Sequence, residues 1–360
     1  MGYTPNSPQA PGHGPSARRR RGDPAEAARQ WEELMTRLGD LRTNHNDDLL
    51  RGLLTTVCNF FEKPAERRDL KMAHLALKES RQALEVFSRY RHVPKVSVFG
   101  SARTDPDNAD YQLAKDFARN IAAHGYMVIT GAGGGIMEAA NAGAGTDMSF
   151  GLNIDLPFEQ ESNPYIAGDP KLMQFRFFFT RKLYFMKETS ALALFPGGFG
   201  TLDEGFEALT LIQTGKSTPM PIVLMEHEGG SYWKEWCDYL NDHLLARGMI
   251  RHDDLDLFRV CHTVEEGVDE IQQFFRVFHS AVRTRDGVII WLWRALEPEE
   301  VALLNETFSD LMGGKKLRQP FSPAKQMSDT EMDVMSFIEV PMDHRHQGRL
   351  RQLINVINKL

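Results

Sequence analysis

The spacing of apolar residues changes at one point along the chain, and that change divides the sequence. Between residues 25 and 93 apolar positions recur at helical intervals: Leu49, Leu50, Leu53, Leu54 and Val57, then Leu75, Leu77, Leu84, Val86 and Phe87. Helices are predicted there, with Pro64 separating two of them. From Pro94 onward the pattern becomes short apolar runs at 96–99, 126–130, 149–156, 191–195 and 221–225. Helical segments fall between and after them, near 110–123, 136–144, 174–189, 202–214, 232–246 and 264–279. Strands alternating with helices predict βαβ units, hence an α/β fold: a Rossmann-like parallel sheet with helices on both faces.

The two ends read differently. Residues 1–24 are rich in Pro, Gly, Ser and Ala and close on Arg18-Arg19-Arg20-Arg21. They cannot bury enough apolar surface to offset their ordering entropy, so a disordered, solvated tail is expected. After residue 281 the pattern weakens to a strand at 288–293, a helix at 297–312, a loop at 313–330 and a closing helix at 348–360. The expected organisation is therefore a tail (1–24), an N-terminal helical extension (25–93), a Rossmann-like α/β domain (94–280) and a C-terminal extension (281–360). The N-terminal helices carry no evident chemistry, and packing, oligomerisation or regulation is the role expected of them.

Composition narrows the function classes. With 42% hydrophobic and 25% charged residues, the 360-residue chain is of ordinary globular type. A net charge of −7 disfavours a nucleic-acid partner, whose affinity would come from excess Lys and Arg. Cys58, Cys237 and Cys261 are too dispersed for a disulfide framework or a zinc-type pair, which fits a reducing compartment. No apolar run approaches the ~20 residues of a membrane span, and the N-terminus lacks a signal-peptide core. A cytoplasmic protein without a membrane partner is expected.

Chemistry concentrates in glycine-rich turns at the carboxyl ends of the predicted strands, the edge where parallel sheets bind ligands. Pro196-Gly197-Gly198-Phe199-Gly200-Thr201 lies between a strand and a helix. Its glycines let backbone N–H groups approach an anion, the helix start adds its dipole, and Thr201 can cap the helix or donate to phosphate. Glu204 follows closely, flanked by Asp203 and Glu207; at least one of the three is a helix-start acid stabilised by the dipole. Arg181 and Lys182, on the preceding helix, can reach the same edge. Two motifs fail on inspection. Gly131 to Gly135 approaches the dinucleotide fingerprint but has Ile136 at its sixth position. Gly215-Lys216-Ser217 resembles the end of a Walker motif, yet Thr210 stands where a glycine is required and a helix, not a strand, precedes it.

Pro196 to Glu204 reads PGGFGTLDE and so resembles the LOG family, often labelled lysine decarboxylases, whose signature is PGGxGTxxE. The upstream Arg181-Lys182 pair, Gly133-Gly134-Gly135-Ile136-Met137, and Gly100-Ser101 after the first strand match further family elements over about residues 94–280. One departure is Phe178-Phe179-Thr180 before Arg181, where the family commonly has Met-His before a variable residue. The resemblance implies a phosphoribohydrolase cleaving a nucleoside 5′-monophosphate, AMP or a cytokinin ribotide, to free base and ribose 5-phosphate. It implies catalytic Arg181 and Glu204, and substrate contacts at Gly100, Ser101, Gly133, Gly134, Gly135, Glu159, Lys182, Gly197, Gly198, Gly200, Thr201 and Thr210. It further implies no metal or other cofactor, and a homo-oligomer with active sites near the subunit interface. A non-hydrolytic nucleotide or cofactor carrier of the same fold, and a nucleosidase of broader purine and pyrimidine specificity, are the alternatives.

Overall fold

The computed structural model describes residues 46–62, 65–156, 161–320 and 336–360, with the isolated positions 29, 32, 33 and 36. The predicted tail lies outside the described residues. The chain divides into two compact units, Met1–Leu70 and Lys71–Leu360. In the first, helix α1 (Asp47–Glu62) exposes Leu49, Leu50, Leu53, Leu54, Val57 and Phe60. Helix α2 (Arg67–Ser88) follows, and from Lys71 on it belongs to the second unit.

The second unit is built on a parallel sheet. Its strands are β1 (Lys95–Phe99), β2 (Met127–Thr130), β3 (Ser149–Ile154), β4 (Leu172–Phe175), β5 (Ala191–Leu194), β6 (Ile222–Met225) and β7 (Arg259–Cys261), in spatial order β4-β3-β2-β1-β5-β6-β7. All six pairings are parallel, as the alternation of strands and helices requires. Side chains alternate between two cores with the period-2 rule of a strand. Phe99, Met127, Ile129, Leu192, Leu194, Ile222 and Leu224 share one core with Phe87 of α2, Phe185 of α5 (Phe178–Glu188), Ile212 of α6 (Phe199–Gln213) and Trp233 of α7 (Tyr232–Tyr239). Val96, Val98, Val128, Ala191, Ala193 and Val223 face the other, against Phe117 of α3 (Ala109–Ala123), Ile136 of α4 (Ile136–Ala144) and Ile271 of α8 (Val264–Phe274).

Four strands escaped the sequence pattern, one of them Ser336–Pro341, in a stretch for which no element was predicted. β4 occupies the start of the segment read as helix 174–189; its four residues alternate in burial as an edge strand does. β7 has only three residues. The helix expected to run to residue 279 stops at Phe274, and the apolar run continues as β8 (Phe278–Arg283). β8 pairs antiparallel with β9 (Gly287–Leu292), which pairs with β10 (Ser336–Pro341). This small sheet has its own core with α9 (Pro298–Thr307) and α10 (Gln347–Ile357). Arg351 of α10 ties it to the α/β part, donating to Glu270 of α8 and to the Met220 carbonyl.

The feature that positions the site is the reversal of strand order. The chain steps outward from β1 through β2 and β3 to β4, then returns to place β5 on the other side of β1. Loops leaving β1 and β5 diverge to opposite faces and leave a crevice at the carboxyl end of the sheet.

Candidate functional site

Three turns converge on that crevice. Ser101, just after β1, donates its N–H to the Pro196 carbonyl after β5 (3.0 Å) and accepts from the Ile136 N–H at the start of α4 (3.0 Å). Glycine makes this clamp possible at two points. Gly135 has φ +61°, and a Cβ there would lie 2.3 Å from the Ser101 carbonyl. A Cβ on Gly197 would lie 2.1 Å from Thr201 Oγ1. A Cβ on Gly198 or Gly200 would meet nothing within 4 Å: these two glycines border open space instead of packed neighbours. The Tyr232 hydroxyl holds the turn from outside, donating to the Gly197 carbonyl at 2.6 Å.

Helix α6 starts at Phe199, three residues sooner than the pattern placed it, with no side chain capping it. Its first N–H groups are thus aimed at the crevice, the arrangement that suits an anion. The early start also moves Glu204 into the second turn. There it is 3% exposed, and burial pushes its carboxyl above the usual carboxylate range against the opposing pull of Lys182 and Arg181. Lys182 Nζ lies 2.7 Å from Glu207, 2.9 Å from Asp203 and 3.4 Å from Glu204. Burial works to lower the Lys182 amine, but its bonds to Glu207 and Asp203 and the nearby charges outweigh that, and its pKa is raised.

Arg181 is set differently. Burial pulls its guanidinium down and Glu204 and Asp203 pull it up, for a net lowering. The group stacks on Phe178 (5.1 Å) and Phe185 (5.7 Å), and its Nε is buried with no hydrogen-bond partner among the described residues. A buried N–H donor without a partner beside an open cleft is suited to bonding a ligand oxygen.

The cleft so formed has a volume of about 780 Å³. Gly100, Ser101, Arg181, Gly197, Gly198, Gly200, Thr201 and Glu204, all singled out from sequence, line it. Lys182 meets it through Glu204. Gly133, Gly134 and Gly135 stand behind the wall, and Gly131 and Met137 line the cleft instead. The reason is a buried network: Asn163 Nδ2 donates to the Gly133 carbonyl (3.0 Å) and to Asn141 Oδ1 (2.9 Å), which also accepts from Thr130 (2.8 Å). It holds Ala132 at φ +61°. Thr210 lies farther along α6, exposed and outside the lining. Glu159 falls outside the described residues.

The lining includes residues to which the sequence assigned no role in the site. Phe178 and Phe199 bring aromatic surface to the mouth, Phe199 at 95% exposure. Asn153, buried at the end of β3, also lines the cleft; a polar side chain ending an apolar parallel strand was the available signal.

Residues 134–271 match the family model described as "Possible lysine decarboxylase". Among solved structures, the structural-genomics target TM1055 is 24% identical, with a TM-score of 0.37 over 50% of this chain and 99% of that one. A molybdenum cofactor carrier protein from Chlamydomonas reinhardtii is 20% identical, with a TM-score of 0.37 over 51% and 98%. DNA processing protein A from Helicobacter pylori is 14% identical, with a TM-score of 0.32 over 49% and 79%. No curated protein matches the chain. Among the described residues no helix is long and apolar enough to cross a membrane. The activity in the family description would call for pyridoxal phosphate on a lysine amine. Lys182, the lysine at this site, does not fit: Schiff-base formation needs a neutral amine, and three carboxylates hold this one charged.

Proposed function

We propose that this chain, whose residues 134–271 belong to the LOG family, hydrolyses the N-glycosidic bond of a nucleoside 5′-monophosphate, releasing free base and ribose 5-phosphate. The observation that carries the reading is the buried Glu204 carboxylate facing a glycine-floored anion site, with a guanidinium donor left unpartnered beside it.

The residues divide the work as the chemistry requires. The 5′-phosphate rests on Gly197 to Thr201, where the N–H groups and dipole of α6 meet its charge. Anchoring the phosphate fixes the ribose over Glu204. As the C1′–N bond breaks, its electron pair leaves with the base and positive charge builds on the ribose. Glu204 stabilises that charge as a carboxylate and accepts a proton from the water whose oxygen bonds C1′. A proton then reaches the base nitrogen that left with the electron pair, giving the free base, and Glu204 returns to the carboxylate. Arg181 donates to a substrate oxygen, and its charge, with that of Lys182, favours the carboxylate form of Glu204 and so opposes the upward push of burial. Phe178 and Phe199 offer flat apolar surface where the base would lie.

The test is incubation with AMP, other 5′-monophosphates and isopentenyladenosine monophosphate, followed by chromatography for free base. Release from one or more supports the reading, and the rates rank the bases. Binding without release from any would favour the carrier alternative and sink the hydrolase.

A further inference from the structure

Helix α5 carries Arg181 and Lys182 in its first five residues, yet its own sequence does not close its N-terminus. Phe177, at the cap position, has no side-chain acceptor, and no acid stands in the first turn. The first N–H groups of a helix have no intrahelical acceptor and need one from elsewhere. α2 instead ties down the chain on either side of that start: the residue two places before the helix and the third residue within it. Glu79, 9% exposed, takes the Arg176 N–H on one carboxylate oxygen (2.9 Å) and the Thr180 hydroxyl on the other (2.5 Å). The adjacent Ser80 carbonyl accepts from the Tyr184 hydroxyl (3.1 Å). Two successive residues of α2 thus grip α5 on both sides of Arg181.

The grip matters because Arg181 has little else to place it. Among the described residues it forms no ion pair within 4 Å; its guanidinium rests on two rings, and its Nε is unpartnered. Its aim is therefore set by the backbone turn, in which its own N–H bonds the Phe177 carbonyl (3.2 Å). That is the turn Glu79 holds. Among the described residues no cation pairs with Glu79 either, so its charge is met by these donors and by the helix dipole.

We propose that Glu79 is a positioning residue: through Arg176 and Thr180 it fixes the first turn of α5 and so the direction in which Arg181 enters the cleft. Its catalytic consequence rests on the hydrolase reading above; the tie itself does not.

Two measurements test it. With a substrate found by base release, Glu79→Ala lowers kcat by roughly ten- to a hundredfold, the scale of a small misplacement of a catalytic group, with KM little changed. Glu79→Gln restores most of kcat, since an amide oxygen can accept from Arg176 while its NH2 donates to Thr180, whose hydroxyl turns to Phe177. Unchanged kcat in Glu79→Ala, or equal losses in both variants, would overturn the proposal. Independently of any activity, amide exchange at residues 177–182 quickens in Glu79→Ala while the strands keep their protection; unaltered exchange there overturns the tie. Should Glu79→Ala not fold, Thr180→Val removes one of the two links and gives the same readouts. A wild-type chain that releases no base counts against the hydrolase and leaves the exchange result to decide the tie.

Discussion

Gly197 and Gly198 are neighbours in one turn, yet a methyl group added to each should do different things. At position 197 it would sit 2.1 Å from Thr201 Oγ1 and 3.0 Å from the Ser101 nitrogen, so the clamp between the β1 and β5 loops has to move. Overpacking of this kind costs about 1–3 kcal/mol. At position 198 the same methyl meets nothing within 4 Å, and the backbone, at φ −89° and ψ −155°, accepts an L residue without strain. Gly→Ala at such a site leaves stability unchanged or raises it by about 0.4–1 kcal/mol through the unfolded chain. The space that the methyl would fill is the floor assigned to the phosphate. Lifting the anion off one backbone donor forfeits a charge-assisted bond of about 1.5–3 kcal/mol, or roughly ten- to a hundredfold in affinity. Urea unfolding and calorimetric titration with ribose 5-phosphate separate the two effects. Gly197→Ala should lower the unfolding midpoint; Gly198→Ala should keep it and weaken binding. Wild-type affinity in a folded Gly198→Ala protein would refute the placement of the phosphate.

Lys182→Met removes a cation that favours ionised Glu204, so the Glu204 carboxyl rises further. Activity needing the carboxylate should then fail at a higher pH as the medium is acidified, while Lys182→Arg keeps the acid limb of the pH–kcat profile in place; an unmoved limb in Lys182→Met would contradict this. Glu270→Ala strands the buried Arg351 guanidinium between α8 and α10. Breaking a buried pair in this way costs about 3–5 kcal/mol, to be read from chemical unfolding, and a loss below ~1 kcal/mol would show that water replaces the partner. Cys261 is buried and its thiol is pushed up to about 12 by desolvation, so iodoacetamide at pH 8 should alkylate exposed Cys58 and spare Cys261 until the fold is lost.

What was legible in the sequence follows from how local each signal is. β1, β2, β3, β5 and β6 announce themselves as apolar runs between glycines and helical segments because strands buried on both faces need apolar residues throughout. β4 hides because Gln174 is exposed at the sheet edge and the run flows into α5. β8 hides because Phe274, Phe275, Val277 and Phe278 extend the apolar pattern of α8 past its end. In the site, PGGFGTLDE is readable since loop, dipole and carboxylate lie within nine residues. Phe178, Asn153 and Glu79 are not, since each acquires its place only when β1, β3, β5 and α2 are brought together across the sheet.

The central claim is that Glu204 acts on the glycosidic bond while the glycine turn holds the phosphate. Glu204→Gln keeps the shape and removes the charge, so it separates the two roles. With a 5′-monophosphate that the wild-type protein cleaves, the account predicts nucleotide binding near wild-type strength and loss of base release by roughly a hundredfold or more, the scale of a lost acid–base group. A Glu204→Gln protein that releases base at the wild-type rate would contradict it.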